Sequence, residues 1–242
     1  AHSGAIYDSI VAARDAGVIF IGAAGNDGRN TDLDPVYPAS YDLANIISVA
    51  AIDRYGNRAW FSNYGSTSVD LGAPGVSIYS STADSDSSYA YYNGTSMAAP
   101  HVSGVAALLL AQDSTMGYAL LKSKIMDTTV PLSSLNGKTV TGGTTSALNA
   151  LAAMPAITSH PADVSKVIGG SATFSITATG KSPLSYQWQK DGSNISGATS
   201  ATLLLNAVTA ADDGNYACVV SNSFGSATSN SATLTVSGGY TK

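Results

Sequence analysis

The sequence predicts two architectures in tandem, an α/β part followed by an all-β sandwich, and three observations carry this. Residues 18–24 and 45–52 are continuous apolar runs, the pattern of strands buried on both faces of a parallel sheet. Helix-like segments alternate with strands up to about residue 154, with helices expected on both faces of the sheet. After Met154-Pro155 the pattern changes to short alternating runs broken by Gly, Ser, Asn and Asp, as in antiparallel sandwiches.

Taken in chain order, residues 4–16 predict an amphipathic helix, with Ile6, Ile10, Val11 and Ala13 on one face. Two strands follow at 18–24 and 45–52, and shorter ones at 69–71, 76–81 and 88–93. A helix over 95–111 is apolar nearly all round and is expected to be buried. Pro100 falls in or near its first turn, where a missing N–H does least harm. Helices over 114–126 and 146–154 end this part. Beyond it, strands are expected at 172–178, 185–190, 201–205, 215–222 and 231–236. The expected domains are residues 1–154 and 155–237, with 238–242 a linker remnant.

Composition narrows the function classes. The chain is 44% hydrophobic and 11% charged, enough to fill a core. A net charge of −5 without any Lys/Arg cluster argues against a nucleic-acid partner. The longest apolar run, 105–111, is far short of the roughly 20 residues of a membrane span, so none is expected. With Cys218 as the single cysteine, no disulfide forms within the chain.

The stretch that carries chemistry is Tyr92-Asn93-Gly94-Thr95-Ser96-Met97-Ala98-Ala99-Pro100-His101. Ser96 sits at the first turn of a helix, where free N–H groups and the helix dipole favour a developing negative charge. Gly94 allows close approach of backbone and substrate. A serine nucleophile needs a base. His101 is a poor one, because five residues along an ideal helix is about 500° of turn and 7.5 Å of rise. Side chains sharing a helix face are three or four residues apart.

With Ala23-Ala24-Gly25-Asn26-Asp27-Gly28, Tyr37-Pro38-Ala39-Ser40-Tyr41, Phe61-Ser62-Asn63-Tyr64-Gly65 and Ala73-Pro74-Gly75-Val76, this stretch resembles the subtilisin-like serine peptidases, or subtilases. The resemblance covers residues 4–153, the C-terminal part of that family's catalytic domain. It implies a serine endopeptidase acting on polypeptides, with no cofactor required for chemistry. Ser96 would be the nucleophile and Asn26 the oxyanion donor. Ala23, Ala24, Gly25, Asp27, Gly94 and Thr95 would line the substrate site. His101 would be structural, a core or supporting histidine, and Tyr37-Pro38 a cis peptide.

Subtilases carry their triad in the order Asp, His, Ser. No Asp-Ser-Gly, Asp-Thr-Gly or His-Gly-Thr-His string occurs here; His2 is terminal and His160 lies in the inter-domain segment. The base and acid are therefore expected upstream of Ala1, and this chain alone is expected to be inactive. The resemblance also implies secretion, to the extracellular space or cell surface. Asn30, Asp32 and Asp34 place oxygens at alternate positions, and subtilases commonly bind calcium, so a structural calcium site is one expectation and a solvated loop the other.

Asp212-Asp213-Gly214-Asn215-Tyr216-Ala217-Cys218 resembles the sixth strand of immunoglobulin-like domains of the bacterial type, over residues 157–236. That implies a core tryptophan at Trp188 and a tyrosine corner at Tyr216. Ile176 would stand where the partner cysteine usually lies, leaving Cys218 a buried thiol beside Ile176 and Trp188. Spacer, surface attachment and protein or glycan binding are all open for this module. The alternative function is a non-catalytic surface or adhesion protein with a degenerate peptidase half. The intact Ser96 and Asn26 count against it.

Overall fold

The structure, a computed structural model, describes residues 2–238. These fall into two compact units that meet between Leu151 and Ala152. The linker expected at 238–242 lies outside the described residues from 239 onward.

The first unit runs α1 (Gly4–Asp15), β1 (Phe20–Ala23), β2 (Ile46–Ile52), β3 (Leu71–Pro74), β4 (Ile78–Ser81), β5 (Tyr89–Tyr92), α2 (Thr95–Gln112), α3 (Tyr118–Asp127), β6 (Val130–Pro131), β7 (Gly143–Thr144) and α4 (Ala147–Ala152). Its sheet has the order β1-β2-β3-β7-β6, parallel except for β6. The β4–β5 pair forms a separate antiparallel hairpin. Every residue of β2 is buried. Successive strand side chains point to opposite faces, so both faces of this strand are covered.

Tyr7, Ile10 and Val11 of α1 pack with Tyr41, Leu43 and Ile46. Ile6, expected in that stripe, is exposed, and Tyr7, three before Ile10, takes its place. Helix α2 lies against β1, β2 and β3. Its buried residues Thr95, Ala98, Val102, Val105, Ala106 and Leu109 form one stripe at helical spacing. The expected all-round burial does not hold, because Pro100, His101, Gly104 and Leu108 are exposed. Small and apolar side chains surround this helix, so no polar face marks its open side. Pro100 is its sixth residue, in the second turn, and leaves the Ser96 carbonyl without its usual partner four residues on.

The second unit contains β8 (Ala156–Ser159), β9 (Val164–Val167), β10 (Ala172–Ser175), β11 (Thr177–Thr179), β12 (Ser185–Lys190), β13 (Ser193–Asn194), β14 (Thr202–Leu205), β15 (Gly214–Asn222), β16 (Gly225–Thr228) and β17 (Ala232–Ser237). One sheet has the order β13-β12-β15-β17-β9, with β16 also on β15. The pairs β10–β14 and β8–β11 complete the sandwich. The strand expected at 172–178 breaks at Ile176, because β10 and β11 pair with different partners. The core joins Phe174, Ile176, Trp188, Tyr216, Cys218 and Leu234. Trp188 stands opposite Cys218 in register, and its indole N–H donates to the Ser200 carbonyl at 2.9 Å. Tyr216 Oη donates to the Asp212 carbonyl at 2.8 Å, and burial pushes its pKa up to about 12. Burial likewise raises the Cys218 thiol.

Candidate active site: the Ser96 helix and the Asn26 loop

Two chain segments meet at the C-terminal end of the parallel strands. The segment after β1 carries Asn26, and the one after β5 carries Ser96 at the second position of α2. Gly94, the residue before α2, has φ 156° and ψ 158°, a region that essentially only glycine occupies. Its N–H donates to the Gly75 carbonyl at 2.8 Å, anchoring the turn before Ser96 to the end of β3. Ser96 is exposed, and its hydroxyl bonds to none of the described residues. First-turn N–H groups have no acceptor within their own helix, so the Ser96 amide is free to serve a ligand.

The Asn26 carboxamide is oriented. Its Oδ1 accepts from the Thr95 N–H at 2.9 Å and from the Thr95 hydroxyl at 3.0 Å. Thr95 Oγ1 in turn accepts the Gly25 N–H at 3.1 Å. With its oxygen engaged, Asn26 presents its Nδ2 donors outward. A methyl group in place of a Gly94 hydrogen would lie 3.6 Å from Asn26 Nδ2 and 3.7 Å from the Ser96 nitrogen. Two N–H donors therefore flank one spot beside the serine.

Asn63, part of the Phe61-Ser62-Asn63-Tyr64-Gly65 string, braces this loop, a role that the string itself does not show. Asn63 is fully buried and donates Nδ2–H to the Ala24 carbonyl at 2.9 Å. Its Oδ1 accepts the N–H groups of Asp27 at 3.0 Å and Arg29 at 3.1 Å, and its own N–H donates to the Gly25 carbonyl at 2.9 Å. Gly25 has φ 104°, and a side chain there would collide with Asn63 Nδ2. Asn63 thus holds both ends of the turn that aims Asn26.

A model of the subtilase family matches residues 2–151. The chain belongs to the subtilase family. An immunoglobulin-domain model matches residues 154–222. Among curated relatives, the thermophilic serine proteinase of Bacillus sp. (strain AK1) is 46% identical over 111 residues, 46% of this chain and 26% of that protein. Subtilisin DY of Bacillus licheniformis is 37% identical over 131 residues, 54% of this chain and 46% of that protein. A solved protease from Pseudoalteromonas arctica is similar with TM-score 0.54 and 33% identity, over 63% of this chain and 48% of that one. The chain thus spans less than half the length of these relatives.

Within this subtilase unit, Ala24, Gly94 and Thr95 of the residues expected at the substrate are buried. The Thr95 side chain is fully buried and locks Asn26. The Ala24 methyl points into the core with Ala50 and Val69, because side chains alternate along the chain leaving β1. Ala23 and Gly25 stay partly exposed. Asp27 is exposed, but its carboxylate pairs with Arg29 at 2.7 Å.

The proposed calcium ligands do not form a binding set. Asp32 accepts from the hydroxyls of Ser66, Thr67 and Ser68 and from the N–H groups of Thr67 and Ser68. Burial would raise its pKa, but these bonds outweigh burial and hold it well below the usual carboxylate range. Asp34 pairs with Arg29, and Asn30 Oδ1 accepts the Asp32 N–H at 3.1 Å. The oxygens that looked like ligands are bonded to protein donors. Asp32 clamps the loop at 66–68 instead.

The histidines are dispersed. His101 is exposed rather than in the core, and its Nδ1 lies 2.9 Å from the Met97 carbonyl one turn back. It lines, with Ser96, Met97, Pro100 and 78–80, an open cavity of about 340 Å³. His2 packs on Tyr7, Tyr37 and Tyr41, and His160 Nδ1 accepts the Asn230 N–H. The Tyr37-Pro38 peptide is cis. A second cavity, about 380 Å³, lies at the opposite end of the strands, where Asp70 is bonded to Lys122 at 3.2 Å and to the Ser48 N–H at 2.7 Å. Of its hydroxyls, Ser40 Oγ accepts the Val36 N–H and Ser68 Oγ donates to Asp32, and Ser96 does not line it.

Proposed function

We propose that the protein to which this subtilase chain belongs is a serine endopeptidase. Ser96 Oγ attacks a peptide carbonyl, and Asn26 Nδ2–H and the Ser96 N–H donate to the tetrahedral oxyanion. The observation that carries this is the Thr95–Asn26 lock, which frees the amide end of Asn26 beside the Ser96 nitrogen. The proton leaving Ser96 needs a base. We assign that base to a histidine, oriented by an aspartate, outside residues 1–242; the positions of His2, His101 and His160 support this. Nothing in this acyl-enzyme chemistry calls for a cofactor. In this reading residues 1–154 carry the catalytic half, 155–237 are an appended module for a protein or glycan ligand, and the whole acts outside the cell. No helix among the described residues is long and apolar enough to cross a membrane.

The test compares hydrolysis of a denatured protein by residues 1–242 with that by a longer polypeptide supplying the histidine and aspartate. The longer chain should turn over and lose activity in Ser96→Ala, while residues 1–242 stay inactive. Ser96-dependent turnover by residues 1–242 would place a base within the chain and overturn the assignment.

A further inference from the structure

Trp60 is the most exposed large apolar side chain among the described residues, at 86%. It occupies the tip of a tight turn in which the Ser62 N–H donates to the Ala59 carbonyl at 2.9 Å. That turn is rigidly held. The Ala59 N–H donates to the Ala51 carbonyl at 2.9 Å, and the Ala51 N–H to Ser62 Oγ at 2.8 Å. The Arg58 guanidinium caps the carbonyls of Ala59 and Ser62. The next residue along is Asn63, the brace of the Asn26 loop. The Gly28 N–H also donates to the Phe61 carbonyl at 2.6 Å, so the turn is bonded to the Asn26 loop two residues past Asn26.

An exposed indole on a rigid turn is a pre-organised binding element, since the backbone that carries it is fixed and only two side-chain torsions remain to be ordered. Phe61 sits edge-on to it, ring centres 5.7 Å apart at 83°. The charges of this rim are already engaged with one another, Arg29 joining Asp27 and Asp34. We propose that Trp60 is a specificity-determining residue of the peptidase, taking an apolar or aromatic side chain of an extended polypeptide substrate. The inference rests on the peptidase reading above. Gly28 is within about 8 Å of Asn26 along the chain. The Trp60 turn lies beyond Gly28, so at about 3.3 Å per extended residue the indole meets a substrate residue some positions removed from the scissile bond.

The experiment uses the polypeptide that supplies the base and acid, as wild type, Trp60→Ala and Trp60→Phe. Octapeptides carry one phenylalanine, moved position by position away from the scissile bond in an otherwise alanine background. A short chromogenic amide reports the chemistry alone. The wild type should prefer phenylalanine about three- to tenfold at one distal position, through KM. Trp60→Ala should erase that preference, Trp60→Phe retain part of it, and all three should cleave the short amide alike. An unchanged preference in Trp60→Ala overturns the proposal. So does unchanged cleavage with loss of self-association in Trp60→Ala, which would assign the indole to a second copy. If Ser96→Ala leaves cleavage intact, the peptidase reading fails instead.

Discussion

Replacing Asn63 with alanine tests whether the Asn26 loop is held from below. The change removes three hydrogen bonds, to the Ala24 carbonyl and from the Asp27 and Arg29 amides. Ala24 is 1% exposed, so its carbonyl stays dry and costs about 1–3 kcal/mol when left unsatisfied. Asp27 and Arg29 are exposed, their amides can turn to water, and each loss costs about 0.5–1 kcal/mol. The sum is about 2–5 kcal/mol. Amide hydrogen exchange on residues 1–242 reads it locally, because Asn63 Oδ1 is the acceptor for both amides. Their exchange should speed up at least about tenfold, since 1.4 kcal/mol is a factor of ten. Asn63→Asp is the control. It keeps the acceptor oxygen but replaces the donor to Ala24 with a buried carboxylate oxygen facing that carbonyl, so the two amides should stay protected while the unfolding midpoint falls. Unchanged exchange and an unchanged midpoint in Asn63→Ala would refute the bracing argument.

Further predictions concern buried and clamped groups. Lys124 is buried with no hydrogen-bond partner for its ammonium, and burial lowers its pKa. Its neutral form is favoured in the fold, so stability should rise with pH up to the ordinary value of 10.5 and level off above it. Lys124→Met should stabilise the chain at pH 7 by about 1–3 kcal/mol in urea titrations and flatten that pH dependence; equal or lower stability would show that the ammonium is well solvated. The Asp32 carboxylate has the opposite sign. Its folded pKa is depressed, so its contribution is present above the ordinary value of 3.8 and is lost as pH falls below it. Acid titration of Asp32→Ala should lack that step, and a wild-type-like acid transition would exclude the clamp. Tyr216→Phe should cost about 1 kcal/mol through the lost bond to the Asp212 carbonyl, measured as a lower unfolding midpoint of the second unit.

The division between what sequence reasoning reached and what it missed follows the range of the interactions. Strand β2 and the start of α2 are written locally, in an unbroken apolar run and in a Gly-Thr-Ser string, and both lie where expected. The change of architecture between α4 and β8 is likewise written locally, because alternation and turn residues are also local patterns. Strands β6 and β7, two residues each, are too short to show any period. The open side of α2 was hidden for another reason: Pro100, Gly104 and Leu108 differ little in polarity from the buried stripe, so only tertiary packing selects the face. The candidate site divides the same way. Ser96 and Asn26 stand out as residue types in distinctive strings. Asn63 also lies in such a string, Phe61-Ser62-Asn63-Tyr64-Gly65, but its role does not show there, since its work is a side-chain bond to a carbonyl 39 residues earlier. The alternating oxygens of Asn30, Asp32 and Asp34 looked like a ligand set because the donors that engage Asp32, the central one, come from 66–68, more than thirty residues on. An asparagine or aspartate in a loop is therefore ambiguous until its long-range donors and acceptors are known. Ser96 and Asn26 are legible from the strings that contain them, whereas the bonds that hold them in place, and the exposure of Trp60, become visible only when the chain has folded around them.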